Sequence, residues 1–233
     1  SSTDVYVLNS LFNSITSTSD GGALSCTSVT FLLVESCSFF SCNTSGQYGG
    51  AIYFYNGSGE CVLYKVCGND CCSITSHSYG QFGYIHVKNV ASSKNYVNYS
   101  SISRCVNENS NSFYTLYFEK GEICCPSVNI SMNKCEGISG IYFGPSRDTG
   151  SVICSLSYSS FADNNATGYN CIYFNYYGLQ YEIKCCNILR NALVSLRILS
   201  PYCNEAVEIW VLISISFALS SSERLAPSRT KSL

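Results

Sequence analysis

Sixteen cysteines, two histidines and a thin set of carboxylates are the side chains of this 233-residue chain that could do chemistry. Acid–base or metal-assisted cleavage of a polysaccharide would need carboxylates that converge on one bond, or a basic residue placed to take a proton. The five aspartates (Asp4, Asp20, Asp70, Asp148 and Asp163) are scattered, without pairs and without a common spacing. Glu119 and Glu122 come nearest to a cluster, but they flank a glycine, as solvated loop charges do. A zinc site calls for Cys-x-x-Cys pairs. The cysteines instead occur as Cys37 and Cys42, as Cys61, Cys67 and Cys71, and as adjacent doublets such as Cys124-Cys125. Neighbours on a strand point to opposite faces, so doublets are poor shared ligands. No glycine-rich phosphate loop stands between a strand and a helix. The residue types therefore predict no catalytic centre, no cofactor and no metal. With a net charge of −2, nucleic acid is not an expected partner either.

The remaining chemistry is that of surfaces. Tyr53, Tyr117, Tyr142 and Tyr173 each occupy the third place of a recurring phrase: small residue, aliphatic, Tyr, aromatic. The phrase reads Ala51-Ile52-Tyr53-Phe54, Thr115-Leu116-Tyr117-Phe118, Gly140-Ile141-Tyr142-Phe143 and Cys171-Ile172-Tyr173-Phe174, with looser copies at Ala23-Leu24-Ser25-Cys26 and Tyr84-Ile85-His86-Val87. In a strand the second and fourth places face inward and the third faces out. Four tyrosines would then line one face, with rings and hydroxyls suited to protein or sugar contact. On this reading His86 fills a Tyr place, and Ile52, Ile85, Leu116, Ile141 and Ile172 form one buried column.

A second phrase keeps step with the first: Phe or Ile, two residues, then Asn or a substitute. It is read at Phe40 and Asn43, Ile74 and His77, Ile102 and Cys105, Ile130 and Asn133, Phe161 and Asn164, and Ile188 and Asn191. Asn suits a bend, where it tolerates left-handed backbone and bonds locally, and stacked Asn would hydrogen-bond one another. A third strand candidate precedes each copy, as in Phe31-Leu32-Leu33-Val34 and Val62-Leu63-Tyr64. Self-similarity at a period near 30 residues marks a solenoid. Three short strands per period, with no sustained helical spacing, predict an all-β parallel β-helix of about six coils over residues 1–200.

Gly49-Gly50-Ala51-Ile52 together with the Phe40-x-x-Asn43 type of pair resembles the paired repeats of the polymorphic outer-membrane proteins of chlamydiae. Similar repeats occur in cysteine-rich surface proteins of trichomonad parasites. The resemblance covers about Leu11 to Asn191. It implies a right-handed parallel β-helix on the cell surface or secreted, acting in adhesion to a host-cell protein or glycan. The full glycine pair recurs only weakly, at Gly21-Gly22-Ala23-Leu24, and the family's autotransporter barrel has no counterpart here.

Other features are less decisive. Ser and Thr number 52 and Asn 20, so the five sequons (Asn43, Asn56, Asn98, Asn129 and Asn165) follow from composition, while remaining permitted glycan acceptors. The chain opens Ser1-Ser2-Thr3-Asp4, as a processed or excerpted segment would. Residues 201–233 break the repeat. Ala206 to Leu219 is largely apolar and basic residues follow, the order of a membrane anchor. The uncharged run of 11 residues is short of the ~20 a spanning helix needs, so a cap closing the last coil is the simpler expectation. The cysteines are expected as buried thiols or as bonds between coils, for example Cys37 with Cys71 or Cys72. Alternatives to an adhesive protein are a polysaccharide-degrading β-helix enzyme and an intracellular thiol-rich structural protein.

Overall fold

The computed structural model describes residues 3–106, 112–146, 153–168, 170–175, 180–191 and 196–198. The expected cap or anchor over 201–233 lies outside the described residues, as do Asp148 and the turn at Gly178. Every element described is a strand, and every pairing is parallel between one coil and the next. The result is a β-solenoid of about six turns, walled by three sheets that are each seven strands deep. The first sheet runs from Asp4–Leu8 through Phe31–Glu35 and Glu60–Tyr64 to Gln180–Lys184. The second runs from Leu11–Asn13 through Ser38–Phe40 and Cys67–Asn69 to Asn187–Leu189. The third, which carries the tyrosines, runs from Leu24–Cys26 through Ile52–Tyr55, Gly83–His86, Tyr114–Glu119, Ile138–Gly144 and Ile172–Phe174 to Leu196–Ile198.

Alternation along each strand fills the interior with columns of like residues. In the first sheet Val7, Val34, Leu63, Val97, Cys125, Leu156 and Ile183 follow one another up the core. In the second the column is Phe12, Phe39, Gly68, Ile102, Ile130, Phe161 and Ile188. The second phrase therefore begins at Phe39 and Gly68 in the early coils. Phe40 and Ile74 point out to solvent, because side chains one place away from the inward column must face the opposite side.

The third sheet also differs from expectation by a register step. Its inward columns are Leu24, Ile52, Gly83, Leu116, Ile141, Ile172, and beside it Cys26, Phe54, Ile85, Phe118, Phe143, Phe174. Ile85 thus stands with the phenylalanines, and the third copy reads Phe82-Gly83-Tyr84-Ile85. The cause is an exchange of bulk between walls. Gly68 leaves a gap in the second sheet, and the Phe82 ring fills it: a Cβ on Gly68 would lie 2.2 Å from that ring. Phe82 is fully buried and meets Phe39 edge-on at 5.8 Å.

Two bends per coil are made by single left-handed residues. Asn9, Ser36, Lys65, Tyr99, Ser127, Tyr158 and Cys185 turn the chain from the first sheet to the second. Ser14, Ser41, Asp70, Arg104, Met132, Asp163 and Arg190 turn it out of the second. The recurring Asn is the next residue after this second bend and has no positive φ. Its task is hydrogen bonding. Asn133 Nδ2 donates to Asn164 Oδ1 at 3.0 Å and Asn164 Nδ2 to Asn191 Oδ1 at 2.9 Å. Each Oδ1 also accepts the backbone N–H of the coil before, Cys105 N to Asn133 at 2.9 Å and Asn133 N to Asn164 at 3.1 Å.

Candidate functional site

Tyr53, Tyr117, Tyr142 and Tyr173 do share one outward column of the third sheet, and Tyr84 completes it between Tyr53 and Tyr117. Shifting the third copy by two residues would have brought Tyr84 into the motif, and the tyrosine itself was the available signal. The rings stack along the column. Tyr84 lies 4.8 Å from Tyr117 at 10°, Tyr117 4.5 Å from Tyr142 at 6°, and Tyr142 5.6 Å from Tyr173 at 10°. In-register strands about 4.8 Å apart impose this spacing, which is close to the separation that parallel rings prefer.

The column is not bare. A second row of rings, from the segments entering each strand, packs against it: Tyr48 on Tyr53 and Tyr84, Tyr79 on Tyr117, and Tyr114 on Tyr117 and Tyr142. Tyr142 is buried to 9 % exposure, and Tyr53, Tyr84, Tyr117 and Tyr173 are half-buried. Burial pushes the Tyr53 phenol up to about 12 and those of Tyr84 and Tyr117 higher still. These phenols hold their protons at any physiological pH and remain hydrogen-bond donors.

The second row ends after the fourth coil. Tyr48 and Tyr79 each stand four residues ahead of the inward place filled by Ile52 and Gly83; the corresponding residue before Leu116 is Ser112, where Tyr114 supplies the ring from two residues further on, and before Ile141 it is Gly137. No side chain fits there, since a Cβ would lie 2.0 Å from the Phe113 carbonyl oxygen. Where the ring is missing, a cleft of ≈ 320 Å³ opens between Tyr79, Phe113, Tyr114, Gly137, Ile138, Tyr142 and Tyr173. It is walled by aromatic faces and has phenol groups at its margin, the composition of a site for a partly apolar, partly hydroxylated ligand.

His86 is not in the tyrosine column. It stands one register place further along, between Tyr55 and Glu119, because the third copy is shifted. Its Nδ1 lies 3.1 Å from Glu119 Oε2, and its ring 4.6 Å from that of Tyr55. Glu119 is accordingly a held, half-buried carboxylate rather than a solvated loop charge. Burial acts to raise its pKa, but His86 and Lys120, 3.5 Å away, prevail and hold it below the usual value. Glu122 accepts a hydrogen bond from Tyr96. His77 is exposed outside the columns, its ring 5.7 Å from Phe113. Asp4 and Asp20 lie at separate places of the first coil, Asp70 and Asp163 on later coils, and Asp163 is engaged by Arg190 at 2.6 Å and 2.8 Å. Among the described residues no three His, Cys, Asp or Glu side chains gather as metal ligands.

Five of the cysteines line the two bends. At the first, one column holds Cys37, Val66, Ser100, Val128, Ser159 and Cys186, where Val66 N donates to Ser100 Oγ and Val128 N to Ser159 Oγ at 3.0 and 3.1 Å. At the second, the column is Cys42, Cys71, Cys105, Asn133, Asn164 and Asn191. Cys42 and Cys71 donate to the carbonyls of Phe12 and Phe39 at 3.6 and 3.5 Å, the places where Asn133 and Asn164 use Nδ2 on Ile102 and Ile130. A thiol thus replaces Ser at one bend and Asn at the other. Cys37 faces Val66, so the expected bond to Cys71 or Cys72 is excluded by register. All fifteen cysteines among the described residues are free.

No family model, curated protein or solved structure matches this chain. Among the described residues no helix is long and apolar enough to cross a membrane.

Proposed function

We propose that this solenoid is a non-enzymatic interaction protein of the cell surface or secreted space, and that it binds uncharged glycan through the tyrosine face of the third sheet. The observation that carries the reading is the Gly137 cleft, an opening framed by aromatic rings where the second row of Tyr48, Tyr79 and Tyr114 ends. Sugar rings present C–H faces to aromatic planes and hydroxyls to phenol tips, and both are supplied here. Low charge suits a neutral ligand: 12 % charged residues and a net charge of −2 offer no long-range steering toward an ionic one. The resemblance of the repeats to adhesive surface proteins points the same way. The sequon side chains of Asn129 and Asn165 are exposed, Asn129 Nδ2 lying 3.4 Å from Ser101 Oγ; Asn56 by contrast is half-buried and donates from Nδ2 to Val29 at 2.7 Å.

Screening the chain on an array of neutral oligosaccharides tests the proposal. The variant Tyr114→Phe/Tyr142→Phe/Tyr173→Phe keeps the stacked rings and removes the polar tips at the cleft. The expected result is loss of glycan capture with the fold retained. Equal capture by both proteins, or no capture by the native chain, would refute it.

A further inference from the structure

The second-bend column divides into an amide half and a thiol half. Asn133, Asn164 and Asn191 are locked by paired amide hydrogen bonds, whereas Cys42, Cys71 and Cys105 occupy the same place in the three coils before. Register sets Cys42 directly beneath Cys71: Cys72 pairs with Asn43, and Cys72 N donates to Cys42 O at 3.0 Å. In-register parallel strands hold such α-carbons about 4.8 Å apart, inside the usual disulfide window of about 4.4–6.8 Å, and the β-carbons need to close by only a few tenths of an ångström. Both sulfurs donate the same way, to a carbonyl of the coil before: Cys42 to Phe12 at 3.6 Å and Cys71 to Phe39 at 3.5 Å.

We propose that Cys42 and Cys71 form a redox clasp, a site at which a small-molecule disulfide cross-links the second coil to the third. The Cys42 thiolate attacks one sulfur of the small disulfide, breaks its S–S bond and expels one thiolate. Cys71 then gives up its proton and attacks the Cys42 sulfur of the mixed disulfide, expelling the second. The balance is two protein thiols and one small disulfide converted to one protein disulfide and two small thiols. The roles are set by environment. The neighbouring Cys71 thiol, acting against burial, lowers the Cys42 thiol to about 7, while the neighbouring Cys42 and burial keep the proton on Cys71. Thiolate is the attacking species in exchange. Cys105 stands one coil beyond Cys71 and two from Cys42, out of reach of the attacking sulfur. All three sulfurs are covered, so the reagent reaches Cys42 through local opening of the bend at Ser41.

The test is oxidation of the full folded chain with glutathione disulfide under native conditions. Alkylation and peptide mapping without reductant follow, alongside thermal melting. The expected product is a Cys42–Cys71 link with a melting midpoint several degrees higher, reversed by dithiothreitol. Cys105→Ser should leave the link in place, and Cys71→Asn, which borrows the amide used by later coils, should abolish it while the protein stays folded. Recovery of Cys42 and Cys71 as alkylated thiols, a stable Cys42–glutathione adduct, or a link that forms only after denaturation would overturn the proposal.

Discussion

Gly68 and Phe82 offer a direct probe of how bulk is shared between the walls. Adding a single methyl at Gly68 would place a Cβ 2.2, 2.6 and 2.9 Å from three atoms of the Phe82 ring. The ring has nowhere to go: it is fully buried and already abuts Phe39 at 5.8 Å. Gly68→Ala should therefore cost about 1–3 kcal/mol, the range for overpacking a tight core. Phe82→Ala should cost about 3–5 kcal/mol, because it opens a ring-sized cavity. Combining Gly68→Ile with Phe82→Ala restores the arrangement of the other coils, an aliphatic in the second sheet and a small residue in the third. The double variant should be more stable than Phe82→Ala alone, and with Gly68→Ile as the other single variant the cycle should show a coupling of about 2 kcal/mol. Urea unfolding followed by circular dichroism measures all of these. If the single effects add to within about 0.5 kcal/mol, the two residues do not share one space and the register argument fails.

Three further outcomes follow from the columns and the surface. Asn164→Ala removes the acceptor for Asn133 N and leaves that buried N–H alone, so urea unfolding should show a loss of about 2–3 kcal/mol. Asn133→Cys should be milder than Asn133→Ala, because a thiol fills this place in the early coils. Glu119 is held below its ordinary 4.5 by His86 and Lys120 against the opposing effect of burial. Its contribution to stability is therefore full above about 4.5 and is lost as pH falls through the lower folded value. Carboxyl NMR should show the Glu119 midpoint rise in His86→Ala; an unchanged midpoint would mean that His86 does not hold it. Expression through a secretory pathway should give glycan at Asn129 and Asn165 before Asn56, read by glycopeptide mapping.

The sequence made the solenoid legible because its alternation is regular. Ile52, Leu116, Ile141 and Ile172, each followed two residues later by Phe, report strands whose side chains point alternately in and out. Where bulk crossed from one wall to another, the pattern misled. Phe82-Gly83-Tyr84-Ile85 satisfies the core only because Gly68 makes room for Phe82, and no local motif reports a distant vacancy. Phe40 and Ile74 were attractive for the same reason: a large apolar residue three before Asn or His looks like the phrase, although Phe39 and Gly68 are the residues that face inward. The tyrosine column was readable one strand at a time. The covering row of Tyr48, Tyr79 and Tyr114 was not, because Tyr48 and Tyr79 come from connecting segments and Tyr114 from the irregular start of a strand, whose paths depend on the neighbouring coil. The cleft is subtler still, arising at Gly137 where that row ends. The interchange of Cys with Ser and Asn became visible only through register, which shows the same carbonyls receiving thiol and amide donors.

The central claim is that the aromatic face around Gly137 receives a neutral sugar, and ring-proton NMR tests it most directly. The chain is labelled at tyrosine and titrated with an uncharged oligosaccharide that the array selects. Saturable shifts are expected at Tyr79, Tyr114, Tyr142 and Tyr173, with Tyr6, Tyr64 and Tyr99 on the other faces unmoved. Shifts centred on those other tyrosines, or none at millimolar ligand, would contradict it.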